Sequence, residues 1–105
     1  MTIVTVFRSR LREDALTAYE LVAEEMADLV RSIDGFIDQT SYSSNDGERV
    51  TIVRFENAAS QRIWARHPRH LEAQRRGRKE FYSWYDISVS DETYGNVFTN
   101  RSDVV

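Results

Sequence analysis

Hydrophobic residues follow two different spacings along the first third of the chain. Residues Thr2 to Arg8 form a nearly unbroken β-branched and aromatic run, which predicts a central strand covered on both faces. From Glu13 to Ile33 the apolar residues recur every three or four positions with acids between them, which is typical of one long amphipathic helix. The acids Glu13 and Asp14 suit the start of that helix, and Gly35 is predicted to be the left-handed residue that ends it.

A β-hairpin is predicted for the middle of the chain. Its strands run from Phe36 to Ser44 and from Glu48 to Glu56, and the connecting Asn45-Asp46-Gly47 contains residues that tolerate positive φ. Asn57 follows the second strand, and its side-chain oxygen is expected to cap the next helix.

The only proline of the chain, Pro68, divides the next helical segment in two. It disfavours α geometry at His67 and suits the first turn of a new helix, so we expect two short helices with a bend, the second running from about Pro68 to Lys79. A last strand is predicted from about Phe81 to Asp91. Its alternation places three apolar residues on one face and polar residues on the other; the apolar residues are Tyr85, Ile87 and Val89.

The predicted element order, βαββαβ, indicates an α+β fold. We expect a ferredoxin-like sandwich in which a four-stranded antiparallel sheet carries the helices on one face, built as a single domain over residues 1–105. The other face of the sheet has too many apolar side chains for contact with water. The sequence therefore predicts a homodimer that packs sheet to sheet and uses the last strand and a tail, from about residue 93 to 105, that carries Tyr94, Val97 and Phe98.

Composition narrows the class of protein. The chain has no cysteine, which excludes disulfides and thiolate chemistry, and no apolar run long enough to span a membrane. We expect a cytoplasmic protein.

The formal net charge is −3, yet the segment from Arg62 to Lys79 holds seven basic residues and one acid, Glu72. This segment is interpreted as a solvated helix face, with an anionic small molecule as the alternative; nucleic acid is disfavoured because the rest of the chain is acidic.

Both histidines and both tryptophans lie between Trp64 and Trp84. His67 and His70 are three residues apart, but the proline between them interrupts a continuous helical face, and only Glu72 is nearby as a carboxylate, so no metal site is expected. Each side chain has a structural interpretation beside a functional one. His67 suits the cap of the helix begun by Pro68, and Trp64 suits a core position.

The element order and the pattern Trp64, His67-Pro68, His70, Gln74, Gly77, Phe81-Tyr82 resemble the antibiotic biosynthesis monooxygenase (ABM) family, whose members form a dimeric α/β barrel. The resemblance spans Thr2 to Phe98. It implies oxidation of a phenol, hydroquinone or anthrol-type substrate by O2 without metal, flavin or haem.

The resemblance also suggests roles for individual residues in a cavity between helices and sheet. His70 is expected to be the catalytic base and Trp64 an aromatic wall. The residues expected to contact a small aromatic ligand are Phe55, Tyr42, Gln39, His67 and Gln74.

Two departures from the family keep other functions open. Haem-degrading members have an asparagine on the first strand, where this chain has Phe7-Arg8. They have a ligand histidine in the helical region, where this chain has Gln74, so haem chemistry is disfavoured. The polyketide-tailoring branch has a helical asparagine where this chain has Ser60. A non-catalytic dimer that binds an aromatic metabolite is one alternative. A cofactor-free isomerase or decarboxylase acting on an anionic ring is the other.

Overall fold

The computed structural model describes residues 1–100, so the last part of the predicted tail, residues 101–105, lies outside the described residues. Four strands form one antiparallel sheet in the order β2-β3-β1-β4. They are β1 (Ile3–Leu11), β2 (Phe36–Ser43), β3 (Arg49–Phe55) and β4 (Tyr82–Asp91). The predicted βαββαβ order and the ferredoxin-like α+β fold are confirmed.

The helices are α1 (Leu16–Val30), α2 (Ala58–Ala65), α3 (Pro68–Arg76) and a π-helical turn, Gly77–Phe81. Two predicted caps are confirmed. The backbone N–H of Ser60 donates to Asn57 Oδ1 at 2.8 Å, and the N–H of Arg69 donates to His67 Nδ1 at 3.2 Å. The bend between α2 and α3 therefore lies at His67-Pro68, as the single proline predicted.

The prediction that Gly35 ends the first helix is wrong. The helix ends at Val30 with Arg31 as its C-cap, and a further turn, closed by the N–H of Ile33 on the Val30 carbonyl at 3.1 Å, follows it. Gly35 does have a positive φ, +90°, but it directs the chain into β2, where its carbonyl accepts the N–H of Glu56 at 2.8 Å.

Two further elements differ from the prediction. Strand β1 continues to Leu11 rather than Arg8, because its ladder with β4 extends through a register shift to Tyr82. The end of the predicted second short helix, from Gly77 onward, is π-helical, so one extra residue is accommodated before β4 begins.

The sheet has an inner face toward the helices and an outer face away from them. On the inner face, β1 and β3 place Thr5 beside Val53 and Phe7 beside Thr51. The buried core lies at one end of this face, around Val30, Phe55 and Trp64. The outer face carries Val4, Val6, Val50, Ile52 and Trp84.

Candidate active site between the sheet and the helices

A cavity of about 500 Å³ separates the inner face of the sheet from the helices, which is a volume in the range of small-molecule sites. The helices contribute an aromatic and imidazole pair, Trp64 and His70, and the sheet contributes Thr5, Phe7, Thr51 and Val53. The lining is mostly apolar with a few polar groups, so it suits an aromatic ligand held in one orientation by hydrogen bonds.

Trp64 and His70 form a stacked pair across the proline bend. Their ring centroids are 4.1 Å apart and their planes differ by 14°. Trp64 is in the last turn of α2 and His70 is in the first turn of α3, so the bend at His67-Pro68 brings together two side chains that a straight helix would separate. Trp64 occupies the predicted core position and also lines the cavity.

The backbone determines which nitrogen of His70 is the base. Nδ1 lies 2.9 Å from the carbonyl oxygen of Trp64, and a carbonyl only accepts, so Nδ1 carries the proton in the neutral ring. Gln74 Nε2 also lies 3.4 Å from Nδ1, but two donors cannot share a hydrogen bond. We assign the shorter contact, with Trp64, as the hydrogen bond. Nε2 is then the unprotonated atom.

The unprotonated nitrogen is available to a ligand. No hydrogen bond to Nε2 is formed within residues 1–100. Among the described residues, every buried side-chain nitrogen or oxygen has a hydrogen-bond partner. Because Nε2 has none, it is not fully buried, and its ring lines the cavity. Burial of the ring lowers the pKa of His70 below the ordinary value of 6.5, although the bond to Trp64 opposes the shift. His70 is therefore a neutral base at pH 7.

The other end of the cavity is built from tyrosines. The rings of Tyr19 and Tyr82 lie 6.0 Å apart edge to face, and Tyr82 packs at 5.8 Å against Tyr85. Gly77 of the π-helical turn makes room for this arrangement, since a Cβ there would lie 2.5 Å from the Tyr82 ring. Burial raises the pKa of Tyr82, so its hydroxyl stays protonated as a hydrogen-bond donor.

Two of the expected ligand-contacting residues line this cavity together with His70 and Trp64. They are Gln39, on β2, and Gln74, on α3. Gln39 lies opposite Val53 on the inner face, while Gln74 is one helical turn after His70. Their amides can donate to a phenolic or quinone oxygen.

Three expected residues do not line the cavity. Tyr42 is 60% exposed and pairs with Val50 on the outer face, because it differs by an odd number of residues from Gln39 along the same strand. Phe55 is fully buried in the core with Val30 and Trp64. His67 caps α3 through Nδ1 and lies outside the lining.

Ser60, which stands where one branch of the family has asparagine, also does not line the cavity. Its side chain packs against Gly35, where its Cβ is 2.8 Å from the position that a Gly35 Cβ would take. Ser60 therefore offers no hydrogen-bond donor to a ligand in this cavity.

The sequence interpretation missed several lining residues. Tyr19 is on the apolar face of α1, and Arg49 shares the inner face of β3 with Thr51 and Val53. Both follow from periodicity, since Tyr19 belongs to the helical repeat and Arg49 is an even number of residues from Val53. The π-helical turn places Arg78 in the lining of the cavity. No sequence signal indicated this turn.

Within residues 1–100, no group of three or more histidine, aspartate or glutamate side chains is placed to hold a metal ion. The same part of the chain has no helix that is long and apolar enough to cross a bilayer.

Comparison with known proteins identifies the family. Residues 2–76 match the family model described as antibiotic biosynthesis monooxygenase. YqjZ of Bacillus subtilis (strain 168), an uncharacterized protein, is 27% identical over 85 residues, which cover 81% of this chain and 75% of YqjZ.

Solved structures show the same fold. Rv0793 from Mycobacterium tuberculosis superimposes with a TM-score of 0.82 at 19% identity, covering 92% of this chain and 100% of that one. SnoaB, a cofactor-independent oxygenase from Streptomyces nogalater, gives a TM-score of 0.74 at 18% identity over 90% of this chain and 95% of SnoaB. The family match over most of the chain is decisive: this protein belongs to the antibiotic biosynthesis monooxygenase family.

Proposed function

We propose that the protein is a cofactor-independent monooxygenase that oxidises a small phenol, hydroquinone or anthrol-type substrate with O2 in this cavity. The observation that carries the proposal is the His70 ring, stacked on Trp64, with Nδ1 bound to a backbone carbonyl and Nε2 accessible. A fixed neutral base beside an aromatic wall in an apolar cavity is what deprotonation of a phenol-type substrate requires.

The reaction balances without a further reductant. A substrate such as anthrone has a CH2 group that is acidified by its conjugated carbonyl. His70 Nε2 removes one proton from it, and the resulting electron-rich anion transfers an electron to O2. Recombination forms a carbon–oxygen bond, and the resulting peroxide takes back the proton held by His70, which regenerates the neutral base. The carbon then loses its second hydrogen as a proton while the O–O bond breaks, and the distal OH group leaves with that proton. The CH2 group becomes C=O, one oxygen atom enters the product, and the other leaves as water.

The residues around the base have distinct tasks in this scheme. Trp64 supports the His70 ring by stacking and forms part of the wall against which the substrate ring lies. Gln39 and Gln74 donate hydrogen bonds to the substrate oxygen as negative charge develops on it. The apolar lining excludes water, which strengthens these interactions. The cofactor-independent oxygenase activity of SnoaB, which has the same fold, supports this assignment.

The test is oxidation of anthrone by the purified protein in EDTA-containing buffer, followed with an oxygen electrode. We expect O2 uptake well above the uncatalysed rate, one O2 consumed for each anthraquinone formed, and one labelled atom in the product when 18O2 is used. Binding of anthrone without uptake would instead assign a ligand-binding protein. Uptake with release of hydrogen peroxide and no incorporated label would show an oxidase.

We also propose that the functional unit is a homodimer in which the outer faces of two sheets pack together. The apolar side chains of that face have no cover in the single chain. Beyond β4, the side chains of Tyr94, Val97 and Phe98 are more than four-fifths exposed. Apolar surface of this extent is typical of an interface. Light scattering at micromolar concentration should give twice the mass of the chain.

A further inference from the structure

The inner face of the sheet carries one arginine in its strands, Arg49 at the start of β3. Its guanidinium lies over the ring of Tyr19, 5.1 Å from the ring centre. A guanidinium that stacks on an aromatic ring keeps its N–H groups free at the edge of its plane. Among the described residues, no carboxylate forms an ion pair with Arg49.

The strand arginines of the outer face differ from Arg49 in this respect. Arg8 forms an ion pair with Glu48 at 2.9 Å, and Arg10 forms one with Asp46 at 2.8 Å. Arg54 pairs with both Asp38 and Glu92 at 3.0 Å. Among the strand arginines of the described residues, Arg49 is therefore the one without a carboxylate partner, although it is half-buried beside an apolar cavity, where an unpaired charge is costly.

We propose that Arg49 binds the carboxylate of an aromatic acid whose ring extends toward Trp64 and His70. This proposal names the substrate class of the site and rests on the function proposed above. The planar guanidinium matches a carboxylate with two parallel hydrogen bonds, and the bound anion would replace the ion pair that Arg49 lacks within the chain.

The charge of the rest of the lining favours an anion. Arg78, on the π-helical turn, is a second cation of the lining that forms no ion pair within residues 1–100. Glu24 is the one acid among the described lining residues. His70 adds no charge at pH 7, because burial lowers its pKa. The cavity is thus positive in a chain whose formal net charge is −3.

The length of the cavity indicates where the two ends of the ligand lie. Val53 packs against the core that contains Trp64, and Arg49 is four residues earlier on the same strand, about 13 Å away at the rise of a β-strand. Between them, Thr51 and Ser41 share a hydrogen bond of 2.9 Å on the cavity side. A ligand of two or three fused rings with its carboxylate opposite the oxidised ring fits this arrangement.

The test compares two probes of the same shape, 6-hydroxy-2-naphthoate and 6-hydroxy-2-naphthamide, by titration calorimetry without oxygen. We expect the carboxylate to bind the unmodified protein at least about tenfold more tightly, since a charge-assisted pair contributes at least that factor. In Arg49→Gln this preference should fall to about twofold or less, and Arg49→Lys should retain part of it. Circular dichroism melting shows that each variant is folded.

Arg62→Gln is the matched control, because Arg62 is exposed on α2, outside the cavity, and forms no ion pair among the described residues. It should keep the full preference for the carboxylate. Equal binding of the two probes to the unmodified protein, absence of naphthoate binding, or an unchanged preference in Arg49→Gln would overturn the proposal. Because no oxygen is present, any of these results would leave the oxidation of anthrone as a separate question.

Discussion

At the scale of single residues, the candidate site depends on one hydrogen bond from a side chain to the backbone. The Trp64 carbonyl, at 2.9 Å from Nδ1, fixes the tautomer of His70, and stacking on the indole fixes the plane of its ring. Orientation and protonation state are thus both determined before any substrate binds. A base prepared in this way loses little entropy when it acts.

The lowered pKa of His70 predicts a pH-dependent stability. In the unfolded chain a histidine takes up a proton near pH 6.5, whereas burial resists that proton in the folded protein. The unfolded state therefore binds more protons below this pH, and the free energy of unfolding should decrease as the pH falls through 6.5. Above pH 6.5 both states are neutral at this residue, and His70 adds no pH dependence.

Urea denaturation of the unmodified protein and of His70→Gln at pH 7.5 and 5.5 measures this effect. The loss of stability on acidification should be smaller in the variant. His67→Gln, which leaves His70 in place, should retain the larger loss. Equal losses in the protein and in His70→Gln would show that the imidazole is not held neutral by the fold.

Individual lining residues were only partly predictable from sequence. His70, Gln39 and Gln74 face the cavity as expected, whereas Tyr42 does not. Alternation along β2 excludes Gln39 and Tyr42 from sharing one face, so the strand period alone restricts the choice to one of them. Which of the two faces the helices depends on pairing with β3, which is a property of the folded sheet.

At the scale of elements, two glycines of positive φ make different contributions. Gly35 has a φ of +90° and contacts the Ser60 side chain, which excludes any Cβ. Gly47 in the hairpin turn has a φ of +91°, but no atom lies within 4 Å of the position of its Cβ. Alanine substitutions at these two glycines therefore separate the free-energy cost of the backbone conformation from the cost of a steric clash.

Gly47→Ala should lower the free energy of unfolding by about 1–2 kcal/mol, the cost of an L-residue in the left-handed region. Gly35→Ala should cost more, because the added methyl group must also displace α2 at Ser60. Chemical denaturation monitored by circular dichroism measures both values. Equal losses in the two variants would show that α2 moves away from Gly35 without cost.

The elements themselves were largely predictable, and their ends less so. The hairpin, the caps at Asn57 and His67 and the bend before Pro68 follow from local chemistry. The extension of β1 to Leu11 depends on a contact distant in sequence, the ladder with β4. Helix α1 ends at Val30 in a local turn that the sequence pattern did not signal. The π-helical turn brings Gly77 against Tyr82, where a Cβ would lie 2.5 Å from the ring, and no local sequence signal indicated it.

At the scale of the whole molecule, the outer face of the sheet is the surface that a second copy would cover. Ile52 lies at its centre, between Val6 on β1 and Thr40 on β2. A charge placed there would be buried without a partner in the proposed dimer, while in a monomer it would face water.

Ile52→Lys should therefore convert the dimer into a monomer, as measured by light scattering after size-exclusion chromatography. Ile63→Lys is the control, because Ile63 is 57% exposed on α2, on the other side of the molecule from the outer face. It should leave the mass unchanged. An unmodified protein that has the mass of one chain at micromolar concentration would contradict the proposed assembly.

The most direct measurement of the proposed chemistry is the rate of anthrone oxidation by His70→Gln and His67→Gln in parallel. Loss of a general base typically reduces the rate by about 10²–10⁴, so His70→Gln should lose most of kcat/KM while its melting temperature stays close to that of the unmodified protein. His67→Gln, altered outside the cavity, should retain its turnover. Full activity in a folded His70→Gln protein would contradict the assignment of His70 as the base.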